Sequence, residues 1–282
     1  MSLVSLLLSA SALLATGAPA PELSVMSYNL RYGSANDGPD AWDLRRDRLV
    51  ALVKEYDPDI IGTQECLDFQ AQYLADQLPH YAWIGLGRQE DATGEMTAIL
   101  YRKDALIPLE SGHFWLSETA GAPGSKSWDS SLPRIASWVK FYRRATGRTF
   151  YFYNTHFDHR GEQARLESAR MLEARIRELH AGEFVVLTGD FNANAETSAP
   201  WKALTEGGLL DTWNEAAVRT GDPNTWNGFA IPAPEQYRRI DWILVSPGAR
   251  VTACAIDARH ENGRFPSDHM PVIARIVPPE LD

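Results

Sequence analysis

The sequence is poor in cysteine and, beyond its first residues, it has no long hydrophobic run. Its two cysteines, Cys66 and Cys254, lack the close spacing of a zinc or redox motif, and each lies in an apolar, strand-like stretch. We therefore predict two separate buried thiols. After residue 20 no stretch is long and apolar enough to cross a bilayer as a helix. A Gly-x-Ser-x-Gly motif is also absent, which argues against the usual serine hydrolases.

Basic clusters are scarce as well. The chain has 27 Lys and Arg residues against 37 Asp and Glu residues, which gives a formal net charge of −10. A protein that holds duplex DNA usually presents a basic face, so this balance counts mildly against broad nucleic-acid binding. A cluster of metal-binding carboxylates would itself lower the net charge. Nucleic acid therefore stays an open but disfavoured partner.

The N-terminal segment differs in composition from the rest of the chain. Residues 2–16 are apolar or small, and Ala18-Pro19-Ala20 follows them as a small-residue cleavage site. This pattern predicts a signal peptide over residues 1–20, although no Lys or Arg precedes the apolar run. We expect an exported protein, periplasmic or secreted, without stable membrane insertion; a buried N-terminal helix is the alternative. Nothing in residues 21–282 indicates a linker, so we predict a single domain there.

Hydrophobic periodicity divides this domain into two similar halves. The first half begins with a strand that ends at Asn29. A helix is predicted over about 41–56, with Asp40 as its N-cap, because apolar residues recur on one face of that segment. The following strand, 59–63, leads directly to Glu65. The first half thus predicts the order strand, helix, and strand with an acidic residue at its tip.

The second half repeats this order. A strand over 150–156 precedes a helix at about 161–180, which is predicted to turn Leu179 inward together with Leu166, Ala169, Leu172 and Ile176. The next strand, 184–188, leads to Asp190. Further predicted elements are a helix at about 67–78 and strands at about 96–101, 136–143, 240–245, 251–257 and 272–276. Short strands with helices between them predict two sheets face to face, helices outside, and the acids at one end.

The most informative motif follows the strand 184–188, where Asp190 and Asn192 lie two residues apart. At a strand tip this spacing places both side chains on one face, where they can bind a metal-bound or phosphate oxygen. Comparable groups follow other apolar stretches: Asn29, Glu65, His156, Asp241 and the pair Asp268-His269. In this order they resemble the endonuclease/exonuclease/phosphatase superfamily over about residues 24–276. The resemblance implies an α/β fold, a four-layer α/β/β/α sandwich in which two pseudo-repeated halves surround two packed mixed sheets.

The resemblance also implies roles for these residues within a single catalytic domain. Hydrolysis of a phosphate ester requires charge neutralisation, an activated water and help for the leaving group. Glu65 would be the main metal ligand, with Asn29 beside it and Asp268 at the same site. Such hard oxygen donors favour Mg²⁺ or Mn²⁺. Asp190, helped by Asn192, would orient or deprotonate the attacking water.

Two histidines complete the implied catalytic set. His156 and His269 would donate hydrogen bonds to the phosphoryl oxygens, and each needs a carboxylate behind it to support its positive form. The family pairs the second histidine with an aspartate, here Asp241. Glu95 occupies the sequence position of the carboxylate that would support His156. Arg134 resembles, more loosely, a phosphate-contacting arginine of the same family.

The other histidines and most aromatic residues are interpreted as structural. These residues are His80, His113, His159, His180, His260, Trp115, Trp128, Trp138 and Trp226. His159 deserves some attention because its surroundings also resemble one branch of the family. Trp42 and Arg45 are interpreted as structural or rim residues. The loops 31–40, 118–133 and 220–238 would decide substrate choice, because loops around a shared centre set specificity.

We predict an exported, divalent-metal-dependent hydrolase of phosphoric esters, and among these a phosphodiesterase. The enzymatic alternatives are a phosphomonoesterase acting on a sugar, inositol or nucleotide phosphate, and a nuclease. The non-enzymatic alternative is an inactive phosphate-binding relic of the fold. The complete set of acids and histidines argues against that alternative. The natural substrate and the oligomeric state stay open.

Overall fold

The computed structural model describes residues 21–180 and 182–279, so the predicted signal peptide over 1–20 lies outside the described residues. In chain order the strands are β1 (Leu23–Asn29), β2 (Ile60–Gln64), β3 (Tyr81–Ile84), β4 (Ile99–Arg102), β5 (Leu106–Trp115), β6 (Ile135–Arg143), β7 (Arg148–His156), β8 (Val185–Asp190), β9 (Leu210–Asp211), β10 (Val218–Thr220), β11 (Asp241–Val245), β12 (Arg250–Ile256) and β13 (Val272–Val277). The helices are α1 (Trp42–Tyr56), α2 (Asp68–Gln77), α3 (Glu162–Leu179), α4 (Ala199–Glu206) and α5 (Thr212–Glu215). None of the helices within this range has both the length and the apolar character needed to cross a membrane.

The strands form two sheets of mixed direction. Seven strands make the first sheet, in the order β10-β12-β13-β1-β2-β4-β3, and six make the second, in the order β5-β6-β7-β8-β11-β9. At the centre of the first sheet β1 is parallel to β2 and antiparallel to β13. At the centre of the second, β8 is parallel to β7 and antiparallel to β11. Each half therefore contains a parallel pair joined through a helix, which confirms the predicted repeat.

Hydrophobic cores separate the layers of the sandwich. Between the two sheets, Val25 of β1 and Phe152 of β7 belong to one buried cluster. On the outer face of the first sheet, Leu49 of α1 packs in a second cluster. Leu172 of α3 packs in a third cluster on the outer face of the second sheet. The layers are thus helix, sheet, sheet and helix, and the predicted four-layer α/β/β/α sandwich is confirmed.

Two local predictions are wrong. Helix α1 begins at Trp42, and Asp40 is not its N-cap: the Asp40 carboxylate instead accepts a hydrogen bond from Nη1 of Arg264 at 3.0 Å. Leu179, predicted to face inward, is 59% exposed. The buried position at that end of α3 belongs to His180, which hydrogen bonds to a tyrosine hydroxyl beneath the helix.

Six elements were not expected from the sequence: β3, β5, β9, β10, α4 and α5. Strand β5 is an edge strand whose pairing with β6 shifts register between Pro108 and Glu110. A bulge of this kind interrupts the alternation of apolar and polar residues, which is the signal that identifies a strand. The two cysteines, Cys66 and Cys254, are free and buried, as predicted, and burial raises the pKa of each thiol to about 12.

Candidate active site

The strand ends along one edge of the sandwich bring the predicted residues together. Strand register places Asp190 opposite both His156 and Asp241, and the parallel pairing of β1 with β2 brings Asn29 beside Glu65. An open cleft of about 400 Å³ lies over these strand ends. Eight of the predicted residues line it: Glu65, Glu95, Arg134, His156, Asp190, Asn192, Asp268 and His269. The remaining two, Asn29 and Asp241, are buried and hydrogen bond to residues of the cleft wall.

Asn29 joins two carboxylates at the centre of the cleft. Its Nδ2 donates to Oδ2 of Asp190 at 2.9 Å and to Oε1 of Glu65 at 3.2 Å, while its Oδ1 accepts from the Arg31 backbone N–H at 2.9 Å. Glu65 has a φ of 55°, a left-handed conformation that costs a non-glycine residue free energy and that clusters at functional sites. Its Oε2 accepts from the Tyr32 backbone N–H at 2.7 Å. The loop after β1 therefore sets the direction of the Glu65 carboxylate.

Asn192 connects Asp190 to His156. Its backbone N–H donates to Oδ1 of Asp190 at 2.9 Å, and its Nδ2 lies 3.0 Å from Nε2 of His156. The same Nδ2 donates to the Phe157 carbonyl at 3.0 Å, which supports this orientation of the amide. Because Nδ2 is only a donor, Nε2 of His156 is the acceptor and the ring proton belongs on Nδ1. Nε2 also lies 3.5 Å from Oδ2 of Asp190.

The surroundings of His156 favour its neutral form. Burial, together with the guanidinium groups of Arg134 and Arg88, holds the pKa of His156 well below its ordinary value. Glu95, its predicted partner, has Oε2 at 4.0 Å from Nδ1, which is beyond hydrogen-bond distance. Glu95 instead accepts two hydrogen bonds from Arg88, at 2.7 and 2.8 Å. Glu95 is thus adjacent to His156 but is bound to an arginine.

His269 lies in the opposite electrostatic environment. Its Nδ1 is 2.9 Å from Oδ2 of Asp241, and its Nε2 is 3.7 Å from Oδ2 of Asp190. Burial alone lowers the pKa of His269, but the carboxylates of Asp241 and Asp190 raise it well above its ordinary value. Burial and the charge of Asp241 also raise the pKa of Asp190 to about 7. This arrangement can hold an imidazolium at the wall of the cleft.

The oxygen donors at this site fit a divalent cation. Carboxylate oxygens of Glu65 and Asp190 and a ring nitrogen of His156 lie within 4.8 Å of one another. Asp268 lines the same cleft, and burial and the charge of Glu65 raise its pKa, as expected for carboxylates that face each other. Carboxylate and amide oxygens suit Mg²⁺ or Mn²⁺ better than zinc. Glu65 and Asp268 could hold such an ion directly, whereas Asn29 turns Nδ2 toward Glu65 and would have to rotate its amide to offer Oδ1 as a ligand.

Several arginines contribute positive charge to the cleft. Arg134, which was predicted, is buried, with Nε 3.4 Å from Oδ2 of Asp158 and Nη2 2.9 Å from Nδ1 of His159. Its Nη1 is buried without a hydrogen-bond partner among the described residues. Three further arginines of the cleft were not identified from the sequence: Arg31, Arg88 and Arg238. No local pattern distinguishes them, because the fold brings them to the cleft from separate loops.

The tryptophans interpreted as structural differ in their distance from the cleft. Trp115 is buried in the second sheet, as predicted, and its Nε1 donates to the Arg88 carbonyl at 2.7 Å. Trp226 is only partly buried and lines the cleft, where the guanidinium of Arg238 lies 4.4 Å from its ring centroid. His159, also interpreted as structural, lines the cleft beside Arg134. Trp226 and His159 are therefore placed where they can contact a ligand.

Arg45 is a buried structural residue beneath the cleft. Its Nη1 donates to the carbonyl oxygens of Leu30 at 2.7 Å and Pro266 at 3.0 Å. Leu30 directly follows Asn29, and Pro266 lies two residues before Asp268. Arg45 therefore fixes the two chain segments that carry these candidate metal ligands. Its structural interpretation is confirmed, whereas a position on the rim is excluded by its complete burial.

Solved structures of other proteins share this fold. A structure of an endonuclease/exonuclease/phosphatase from Bacteroides vulgatus is 37% identical, has a TM-score of 0.87, and covers 93% of this chain and 99% of its own. A mannosyl-6-phosphatase from Bacteroides thetaiotaomicron VPI-5482 is 38% identical, has a TM-score of 0.83, and covers 90% of this chain and 99% of its own.

A curated relative matches over a shorter stretch. The uncharacterized protein L388 of Acanthamoeba polyphaga mimivirus is 27% identical over 166 residues, which is 54% of this chain and 60% of the viral protein's length. The model of the Endonuclease/Exonuclease/phosphatase family matches residues 26–269, a span that contains every candidate residue from Asn29 to His269. The chain therefore belongs to the endonuclease/exonuclease/phosphatase family of hydrolases.

Proposed function

We propose that this protein hydrolyses phosphoric esters with the help of a divalent cation. One observation carries the proposal: Oδ2 of Asp190 accepts from Asn29 at 2.9 Å and lies 3.5 and 3.7 Å from the Nε2 atoms of His156 and His269. The carboxylate of Glu65 belongs to the same cluster. This arrangement supplies a base for water, hydrogen-bond donors for phosphoryl oxygens and ligands for a cation, as phosphate-ester hydrolysis requires.

The cation would be Mg²⁺ or Mn²⁺, held by Glu65, Asn29 and Asp268. When bound, such an ion neutralises charge on the phosphoryl oxygens. Without the ion, Nδ2 of Asn29 holds Glu65 and Asp190 in place, and the amide would rotate to offer Oδ1 to the ion. Burial of Asp268 and the nearby charge of Glu65 would favour cation binding, because like-charged carboxylates repel one another. Arg31, 3.7 Å from Asp268, already offsets part of this negative charge.

The residues opposite this ion would move or stabilise charge. Asp190 would accept a proton from the attacking water, while the backbone N–H of Asn192 holds its carboxylate in position. His269, as an imidazolium, would donate a hydrogen bond from Nε2 to a phosphoryl oxygen, and Asp241 would stabilise its positive charge from behind. The bond between phosphorus and the leaving oxygen breaks as the bond to water forms, and solvent returns a proton to the leaving alcohol.

Charge favours the phosphomonoester alternative over the phosphodiester predicted from the sequence. Four arginines and four carboxylates line the cleft: Arg31, Arg88, Arg134, Arg238, Glu65, Glu95, Asp190 and Asp268. With Asp241 counted against its partner His269, a divalent ion and a protonated His269 would leave these groups with a net charge of about +2, which favours a dianionic monoester over a monoanionic diester. The 38% identity to a mannosyl-6-phosphatase over nearly its whole length supports the same choice.

Export and domain organisation are part of the proposal. Residues 1–20 would direct export and be removed, and residues 21–282 would form a single catalytic domain. Expression with and without residues 1–20, followed by cell fractionation and determination of the mature N-terminus, tests this. A full-length protein that keeps its first residues inside the cell would contradict export.

The catalytic proposal is tested with p-nitrophenyl phosphate and bis-p-nitrophenyl phosphate. We expect faster hydrolysis of the monoester, loss of activity in EDTA, and recovery with Mg²⁺ or Mn²⁺. Glu65→Gln should require more metal and turn over far more slowly, whereas Glu55→Gln, at an exposed ion pair with Arg259, serves as the matched control. Chelator-resistant hydrolysis would contradict the metal requirement, and faster hydrolysis of the diester would restore the phosphodiesterase prediction.

A further inference from the structure

Two further grooves adjoin the cleft, and Arg238 lies where all three meet. The first groove, about 620 Å³, is formed by Asn194 together with residues of the segment 226–238; we call it the 226–238 groove. The second, about 400 Å³, runs along Asn192 to Asn194 toward the start of α4. Arg238 lines the cleft and both grooves. A substrate with its phosphate in the cleft would therefore extend its leaving group past Arg238.

Arg238 differs from the other arginines of the cleft because its charge is free. Arg31 and Arg88 each form two hydrogen bonds with a carboxylate. Between residues 21 and 279, position 181 aside, the Arg238 guanidinium forms no ion pair or hydrogen bond, and only its backbone groups are bonded. A guanidinium carries five N–H donors in a rigid plane, and here all five are available to a ligand.

Trp226 holds this guanidinium in place. The centre of the guanidinium lies 4.4 Å from the indole centroid, within the range of a cation–π contact. Gly228, at a φ of 57°, packs so closely on the same indole that a β-carbon there would lie 2.9 Å from Cζ2. The indole is therefore covered in part by Arg238 and in part by its own loop, so it supports the arginine more readily than it would stack with a nucleobase.

The 226–238 groove offers mixed hydrogen-bonding groups on an exposed surface. Asn194, Glu235 and Gln236 are exposed side chains of its lining, and Arg238 closes it on the side of the cleft. Carboxylate, amide and guanidinium groups together can donate to and accept from neighbouring hydroxyl groups. A nucleic-acid strand would need a run of cations along its phosphates. Neither groove presents such a run, because Glu235 lines this groove beside Arg238 and Glu162 lines the second groove beside Arg165.

We propose that the 226–238 groove binds the alcohol part of the substrate, that this part is a polyhydroxylated ring such as a sugar, and that Arg238 contacts its hydroxyl groups. The inference rests on the proposed function, since it places the phosphate in the cleft. It adds a specificity determinant, the Trp226–Arg238 stack, within the loop 220–238 to which the sequence assigned a part in substrate choice.

The test measures kcat and KM of the Mn²⁺-loaded protein on hexose 6-phosphates, on adenosine 5′-monophosphate and on p-nitrophenyl phosphate, which lacks hydroxyl groups. Arg238→Ala should lower kcat/KM for the hexose 6-phosphates roughly 10-fold more than for p-nitrophenyl phosphate, mainly through KM, because a charged hydrogen-bond donor is lost. Arg238→Lys should recover only part of this loss. Arg46→Ala is the matched control, since Arg46 of helix α1 stacks on Tyr73 of helix α2 at 4.6 Å.

Asn194→Ala and Glu235→Gln should show the same selectivity for hexose 6-phosphates with smaller losses.

Equal losses on the hexose 6-phosphates and p-nitrophenyl phosphate in Arg238→Ala would mean that Arg238 contacts the phosphoryl group, and would overturn the inference. A larger loss on the nucleotide would overturn it in favour of a base. If the wild-type protein hydrolyses none of these esters, the proposed function fails. In that case the affinity for a hexose 6-phosphate would be measured by calorimetry. An affinity that Arg238→Ala leaves unchanged would contradict the groove assignment.

Discussion

His156 and His269 line the same cleft and flank the same carboxylate, yet their surroundings give them opposite preferences for a proton. Their Nε2 atoms lie 3.5 and 3.7 Å from Oδ2 of Asp190, and both rings are buried. His269 has the Asp241 carboxylate 2.9 Å from its Nδ1. The nearest carboxylate to Nδ1 of His156 is Glu95, at 4.0 Å. Burial alone would keep both rings neutral, so the residues behind each ring decide the difference.

The contrast extends to the charges around each ring. Arg88 binds Glu95 and, together with Arg134, disfavours a positive charge on His156. His269 has two carboxylates near its ring and its pKa is raised. One cleft can thus present a cation and a neutral ring to the same substrate. We expect His269 to neutralise developing charge on a phosphoryl oxygen, and His156 to hold a geometry that depends on its neutral tautomer.

Removing each ring gives the largest expected effects. His269→Ala should lower kcat on the order of 10² to 10⁴-fold, as for other positioned acid–base groups, and His156→Ala should cost less because no charge is removed. The measurement is kcat at saturating Mn²⁺, with His260→Ala at an exposed histidine as control. Equal losses from the two substitutions would remove the functional distinction between the rings.

Asp241→Asn tests the partner that makes His269 basic. The carboxylate raises the pKa of His269, so its removal should lower that pKa. Activity that needs the imidazolium would then be lost at lower pH, and the basic limb of the pH–rate profile should move toward acid. We expect a loss in kcat on the order of 10²-fold.

The double variant Asp241→Asn/His269→Ala provides the control for this interpretation. Residues that act as a unit lose little more together than the more damaging substitution alone. Additive losses would mean that Asp241 supports another part of the site, such as the strand pairing of β11 with β8.

Glu95→Gln should have a smaller effect, and this sharpens the comparison. The Glu95 carboxylate is bound to Arg88 and is not in hydrogen-bond contact with His156. Neutralising Glu95 removes the carboxylate that offsets the charge of Arg88. The unpaired Arg88 would then disfavour a proton on His156, and that ring is already neutral. We therefore expect a loss of no more than about 10-fold in kcat and no movement of the basic limb. A shift as large as that of Asp241→Asn would show that the two histidines are equivalent.

Arg45→Lys should have the smallest effect on turnover, because Arg45 touches no candidate catalytic group. Lysine cannot reproduce the planar donors that reach the Leu30 and Pro266 carbonyls. Buried carbonyls left without partners should cost roughly 1–3 kcal/mol of unfolding free energy, measured in urea. The concentration of Mg²⁺ needed for half activity should also rise, since Asn29 and Asp268 flank those carbonyls. Arg46→Lys is the control, and an unchanged metal requirement would contradict this role.

The sequence is sufficient to predict the residues at the strand tips, because these residues directly follow their strands along the chain. A buried strand followed by Asn29, Glu65, His156 or Asp190 is visible in the chain itself, and the register of parallel pairs then places these ends together. The bulged edge strand β5 could not be predicted, because its alternation is broken at Pro108.

Residues that act through partners distant in the chain also could not be predicted from the sequence. Arg88 reaches the cleft by binding Glu95, and Arg238 reaches it by stacking on Trp226. Neither contact leaves a periodic or spaced pattern in the chain. The protonation contrast was missed for the same reason, since both histidines were expected to be supported by a carboxylate and only the folded structure assigns Glu95 to Arg88.

The most direct measurement is a ¹⁵N NMR spectrum of the imidazole nitrogens near pH 7 in the Mg²⁺-loaded protein, with the two rings assigned by His156→Gln and His269→Gln. The pKa directions and the Asn192 contact predict an imidazolium at His269 and, at His156, a neutral ring with its proton on Nδ1. Both rings charged, both neutral, or the charge on His156 instead of His269 would contradict the account.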